Sequence, residues 1–182
     1  MPGVLKLDLI GHGVTEAMRG ARFPDDEPLT ASGRNALEPY RPPVDAVVLI
    51  APERRAGQTA QALGLTGRAE PALRDLDAGR WRGRELAAVP PEEAHAWLTD
   101  PAFRGHSGES ILDLVDRIGA WLDVVAAAAG RSTVALTHPA VIRAALLVAL
   151  DAPAASFWRL DVPPAVPIRL HHRGAWTVRF GR

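Results

Sequence analysis

The chain has 182 residues, enough for one domain with a substantial core. Apolar residues make up 47% and charged residues 23%, and 21 Lys and Arg balance 21 Asp and Glu, so nothing calls for nucleic acid or an anionic membrane as a partner. The lack of cysteine excludes disulfides, thiolate metal sites and cysteine nucleophiles.

With no net charge, an anionic substrate has to be met by a local cluster. Lys6 and Asp8 interrupt the apolar opening stretch, which argues against a signal peptide. The best candidate for a membrane span, Val141 to Leu150, is short and broken by Arg143. A cytoplasmic protein is expected.

Val4 to Ile10 predicts a first strand, followed by Gly11-His12-Gly13. Gly13 to Pro28 predicts a long polar loop, and Thr30 a cap for a helix to about Leu37. Ala46 to Ile50 is a continuous apolar run, as in a strand buried on both faces. Pro52 then opens a helix with Ala56, Ala60 and Leu63 on one stripe. Glu70 to Gly83 reads as irregular. A short helix is expected over Glu92 to Leu98. A longer one is expected over Ser110 to Ala127, with Ile111, Leu114, Val115, Ile118, Leu122 and Val125 on one face. Thr133 to Thr137 predicts a third interior strand, and Pro139 the first turn of a helix through Leu150. After Pro167 the chain predicts a hairpin turning at Arg173-Gly174.

Strands alternating with helices predict an α/β fold: a mostly parallel central sheet flanked by helices on both faces, in a single domain. Ligands of such sheets bind beyond the carboxyl ends of the strands. His12, Arg55 and His138 all fall there, so periodicity alone predicts one shared site.

The same residues carry a resemblance. Leu9-Ile10-Gly11-His12-Gly13-Val14-Thr15 resembles the Leu-Ile-Arg-His-Gly-x-Thr signature of histidine phosphatases, the phosphoglycerate mutase-like kind. Ala51 to Ala60 is similar to that family's Ser-Pro-x-x-Arg-Ala-x-Gln-Thr-Ala segment. Leu73-Arg74-Asp75 with Gly79 to Gly83, Gly108-Glu109-Ser110, and Thr137 to Arg143 follow in the family's order, and Pro28-Leu29-Thr30 and Gly33 also fit.

The resemblance implies one histidine phosphatase-like domain over residues 1–182, acting on a small phosphorylated molecule without metal or cofactor. It makes His12 the nucleophile that becomes a phosphohistidine, Arg55 an oxygen clamp, His138 the second pocket histidine and Asp75 the general acid. Gly13, Thr15, Arg19, Arg22, Glu109 and Ser110 are the expected substrate contacts. A homodimer is compatible with the chain, whose oligomeric state leaves no mark on the sequence.

Three departures keep other readings open. Gly11 stands where the family has arginine, Asp75 where glutamate is commoner, and Met18 where many members have asparagine. A catalytically degenerate anion-binding protein, or an enzyme of altered chemistry, fits those changes. Arg19 and Arg22 are the nearest charges in sequence that could replace the missing arginine. Plainer readings stand beside the site roles. Glu109-Ser110 reads equally as a helix start, Arg143 as a partner for a carboxylate, and the five tryptophans as packing, with Trp81 the exception to watch because its loop adjoins Asp75. His171 and His172 are adjacent on a strand, so they face opposite ways and do not share a metal.

Overall fold

The computed structural model describes residues 4–128 and 130–180. Strands β1 (Leu5–Gly11), β2 (Val47–Ile50), β3 (Arg68–Ala69) and β4 (Thr133–Thr137) run parallel, while β5 (Pro167–His172) and β6 (Trp176–Arg179) form the antiparallel hairpin at one edge. The order across the sheet is β3-β2-β4-β1-β5-β6. The helices are α1 (Glu16–Arg19), α2 (Ala31–Asn35), α3 (Arg54–Ala62), α4 (Pro91–Thr99), α5 (Ile111–Ala127) and α6 (Pro139–Ala149).

Alternation along the strands divides the core between two faces. Leu5, Leu7, Leu9 and Ala135 pack with Leu114, Ile118 and Leu122 of α5 and with Ile142 and Ala145 of α6. Ile10, Val134 and Leu136 pack on the other face with Ala60 of α3 and Leu65. Helices thus cover both faces, as the sequence predicts. A smaller cluster of Phe23, Ala78, Trp81 and Val89, with Trp97 and Phe103 against it, supports the segments that overhang the strand ends.

Register positions the site. Gly11 lies opposite Thr137, and Ile50 opposite Leu136, so β1, β2 and β4 end almost level. The residues that follow each strand therefore emerge side by side.

The structure corrects several local expectations. The segment from Gly13 to Pro28 is not all loop: Thr15 caps α1 by accepting from the Met18 N–H. The helix expected from Pro52 begins at Arg54, with Glu53 at its cap position but spending its carboxylate elsewhere. Glu70 to Gly83 contains two single-turn helical segments rather than plain coil. Strand β3 has two exposed residues and no apolar alternation by which to see it.

One glycine is fixed by close approach. A Cβ at Gly33 would lie 2.3 Å from the Val14 carbonyl oxygen and 2.8 Å from Thr30 Oγ1. Thr30 donates from both its N–H and its hydroxyl to that same carbonyl, clamping the loop after His12 onto the start of α2. Gly33→Ala is expected to lower stability by about 2 kcal/mol or more, because the obstacle is backbone. The midpoint of denaturant unfolding checks this; a change of a few tenths would contradict it.

Candidate active site

His12 is the first residue beyond β1 and is buried; its N–H donates to the Thr137 carbonyl at 2.9 Å. Its Nδ1 lies 2.7 Å from the Gly13 carbonyl oxygen. A carbonyl only accepts, so the proton is on Nδ1 and the lone pair is on Nε2. The Gly13 N–H donates to Thr59 Oγ1 at 3.0 Å, fastening this loop to α3.

Arg55, in the first turn of α3, is 1% exposed. Its Nε donates to His12 Nε2 at 3.2 Å and its Nη2 to Asp75 Oδ2 at 2.6 Å, while Nη1 is buried without a partner. The other oxygen of Asp75 accepts from the Leu76 N–H at 2.8 Å. His138 caps the start of α6 and is fully buried. Its Nε2 meets Glu53 Oε2 at 2.7 Å, and its Nδ1, 3.5 Å from Asp75 Oδ2, has no hydrogen-bond partner. Glu53 also accepts the Asp75 N–H at 2.9 Å, so one carboxylate sets both the second histidine and the aspartate. The two imidazoles meet edge to face, 5.2 Å between centroids.

Burial, reinforced by neighbouring His138, pushes the His12 pKa down to about 4. Burial pushes the Asp75 carboxyl up, but the neighbouring His138 and Arg55 outweigh it and hold Asp75 below the usual range. Glu53 behaves alike: burial raises it, and the hydrogen bond with His138 turns the balance downward. His12 should therefore remain neutral, protonated on Nδ1, as pH falls through the ordinary histidine range, and take a second proton only near pH 4. Nitrogen-15 NMR of the imidazole checks this, and a midpoint above pH 6 would contradict it.

A cavity of about 270 Å³ opens beside His12. Thr15, Asp75, Glu27 and Arg143 border it, as does a wall of apolar side chains. The structure thus brings His12, Arg55, Asp75, His138, Gly13 and Thr15 together. Arg22 reaches the rim of the cavity, though it is paired with Glu85 at 2.6 Å. Arg19 is turned away, bonded to Glu16 and Ser32. Glu109 is held by Arg117 and Arg74, and Ser110 forms a capping box with Asp113. Neither lines the cavity; both stand at the start of α5.

Arg143 departs from expectation. Among the described residues it forms no ion pair. It donates from Nε to the Leu160 carbonyl at 2.7 Å, and its guanidinium lies 5.5 Å from the Trp158 ring centre. Trp97 and Trp158, expected only to pack, also line the cavity, whereas Trp81, beside the acid in sequence, does not. Glu53 escaped sequence reasoning because a carboxylate at a helix start reads as a dipole partner. Among the described residues no group of His, Asp and Glu is arranged to hold a metal ion, and no helix is long and apolar enough to cross a membrane.

Fold and cluster together define an α/β protein of phosphoglycerate mutase-like architecture with a histidine-centred pocket at its strand ends. The chain belongs to the histidine phosphatase superfamily (branch 1), whose family model matches residues 7–179. It is 32% identical over 168 residues to the glucosyl-3-phosphoglycerate phosphatase of Mycolicibacterium vanbaalenii, covering 81% of this chain and 74% of that protein. It is 31% identical over 145 residues to the bifunctional protein Rv2228c of Mycobacterium tuberculosis; the match takes in 74% of this chain but only 40% of that longer relative. The solved structure of mycobacterial hydrolase 1 superposes with a TM-score of 0.82 at 23% identity, over 98% of each chain, a likeness of fold.

Proposed function

We propose that this protein is a phosphatase that hydrolyses a small phosphomonoester through a phosphohistidine at His12. One observation carries the reading. A buried, neutral imidazole lies 5.2 Å from a second imidazole and presents its Nε2 lone pair to a buried guanidinium, and each of these two neighbours has a nitrogen lacking a partner. Buried polar groups without partners are uncommon and point to a missing ligand, and two nitrogens of basic side chains suit an anion. The phosphatase relative supports the same chemistry.

In this reading a phosphoryl group displaces the Arg55 N–H from His12 Nε2, which then attacks phosphorus. Arg55 and His138 stabilise the equatorial oxygens as charge builds on them. The bond to the leaving oxygen breaks, and water then attacks the phosphohistidine with Asp75 accepting its proton. His12, Arg55, His138 and Asp75 are the catalytic residues. The enzyme is read as cytoplasmic, with its substrate as its partner and neither metal nor cofactor required.

A second reading has one specific observation in its favour. At rest the site satisfies itself: Arg55 occupies the His12 lone pair and Asp75 occupies Arg55. With Gly11 in place of the family arginine, that suits an anion-binding protein without turnover. Trapping the intermediate decides between them. Alkaline quenching during turnover of a radiolabelled aryl phosphate should leave a base-stable, acid-labile label on His12 and none on His12→Ala. Phosphate binding without label or turnover would establish the second reading instead.

A further inference from the structure

We infer that the alcohol released from the substrate is aromatic, so that this site is built for an aryl phosphate rather than a sugar or hydroxy-acid phosphate. The inference rests on the phosphohistidine reading and concerns the other half of the ester.

The space beside His12 is lined by groups of opposite character. His12, Thr15, Glu27 and Asp75, with Arg22 and Arg143, supply its polar groups, while the other lining residues are apolar, the largest being Met18, Phe23, Leu86, Trp97 and Trp158. The aromatic members form a continuous wall. Phe23 and Trp97 lie 5.2 Å apart between centroids, and Trp97 and Trp158 lie 4.3 Å apart. The indole N–H of Trp158 is already directed at the Trp97 carbonyl, 3.3 Å away, and so is not offered to a ligand. An apolar cavity of roughly 150 Å³ holds a benzene ring. The 270 Å³ here has room for a one- or two-ring system. Each hydroxyl of a sugar pressed against this wall would lose its water without a replacement, at about 1–3 kcal/mol apiece.

The carboxylates argue the same way from chemistry. Asp75 is paired with Arg55 Nη2 at 2.6 Å and accepts the Leu76 N–H, and both contacts favour the ionised carboxylate at rest over one with a proton to give. The Nε2 of His138 is committed to Glu53. Unless Glu27 supplies a proton, a leaving oxygen then departs largely as an anion. Phenols, with pKa about 10, do this far more readily than aliphatic alcohols nearer the 15.7 of water. In the first step the His12 Nε2–P bond forms while the P–O(aryl) bond breaks, its electron pair staying on the aryl oxygen. Solvent protonates the phenolate. In the second step water adds to phosphorus, Asp75 takes the proton, and the P–N pair returns to His12.

Glu27 is the rival proton donor. It borders the cavity, and its Oε1 is buried without a partner. Leaving-group dependence separates the two cases, since a donated proton flattens it. The experiment measures kcat/KM of the full chain on substituted phenyl phosphates, 2-naphthyl phosphate, glycerol phosphate, phosphoserine and 3-phosphoglycerate. 2-Naphthyl phosphate is expected to exceed the aliphatic esters by about a hundredfold or more, and kcat/KM to fall steeply as the phenol pKa rises. Trp158→Ala should raise KM for naphthyl phosphate about tenfold and change phenyl phosphate little. A binding assay guards against variants that fail to fold and against absent turnover. Naphthylmethylphosphonate added to His12→Ala should quench the fluorescence of the tryptophan wall, whereas methylphosphonate should not.

A flat leaving-group dependence, or a higher kcat/KM on 3-phosphoglycerate or phosphoserine than on any aryl ester, overturns the inference and leaves the phosphatase reading standing. No turnover of any ester together with quenching by the naphthyl compound overturns the phosphatase reading and keeps the aromatic specificity. No turnover and no quenching removes both.

Discussion

Replacing Arg55 with methionine is expected to lower kcat/KM roughly a thousandfold, a loss of about 4 kcal/mol of transition-state stabilisation. Among the described residues the guanidinium is the one group hydrogen-bonded to both His12 Nε2 and Asp75 Oδ2. Its unpartnered Nη1 is the readiest donor for a phosphoryl oxygen. Gly11 offers no side-chain donor, and among the described residues no other arginine is hydrogen-bonded to the imidazole. Arg55→Met should also destabilise the fold, by about 2–3 kcal/mol. Breaking a buried pair typically costs 3–5 kcal/mol, but Asp75 keeps 16% side-chain exposure and the Leu76 N–H, which reduces the cost. The two effects separate in a double-mutant cycle. Arg55→Met with Asp75→Asn removes both charges, so it should regain most of the stability and none of the activity. A single variant retaining activity within tenfold of wild type would show that Arg55 is not the clamp.

The pH sign follows from the same pair. Asp75 is held below the usual carboxylate range, so its contribution is complete above the unfolded-state value near pH 4. It is lost as pH falls through the lowered native value. Arg55→Met takes away a main cause of that lowering, so acid unfolding of the variant should begin at a higher pH than that of the wild type.

How much of this was legible in the sequence depends on the kind of signal. Strands β2 and β4 announced themselves as short, nearly continuous apolar runs, Val47 to Ile50 and Thr133 to Thr137, the pattern of strands covered on both faces, whereas β1 showed through despite Lys6 and Asp8. His12, Arg55 and His138 could be assigned to one site because parallel strands bring their carboxyl ends to one edge whatever the loop sequences are. The cavity wall could not be read. Trp97 lies on α4, none of whose residues is fully buried, and Trp158 lies in a two-turn segment far along the chain. Only tertiary packing puts them beside Phe23 and His12. Arg143 was misread for a related reason. An arginine within an apolar helix suggests a carboxylate partner, whereas here the Leu160 carbonyl and two aromatic rings hold it. Asp8 went unread as well, noted only as a charge interrupting the first apolar stretch.

That aspartate carries the second large effect. Arg169→Ala is expected to cost about 2–4 kcal/mol of stability while leaving kcat/KM of the folded protein within about twofold of wild type. Asp8 is fully buried in the middle of β1, and Arg169 lies directly across from it on β5. The guanidinium grips the carboxylate with two bonds, Nε to Oδ1 and Nη2 to Oδ2, each 2.6 Å. The Tyr40 hydroxyl donates to Oδ2 at 2.6 Å, and burial followed by the Asp8 bond pushes its pKa well upward, so it remains a donor. Removing Arg169 strands a carboxylate that has one hydrogen bond left and no solvent. The upper part of the usual range for a broken buried pair does not apply, because the Arg169 side chain is 38% exposed and already partly screened by water. Asp8→Leu combined with Arg169→Leu should be less damaging than Arg169→Ala, since apolar replacement leaves no uncompensated charge. Equilibrium denaturation of the three proteins gives the comparison. A double variant less stable than the single one would mean that the pair fixes the register of β1 against β5. Because His12 stands four residues beyond Asp8, a slip in that register would displace the nucleophile, and activity would fall together with stability.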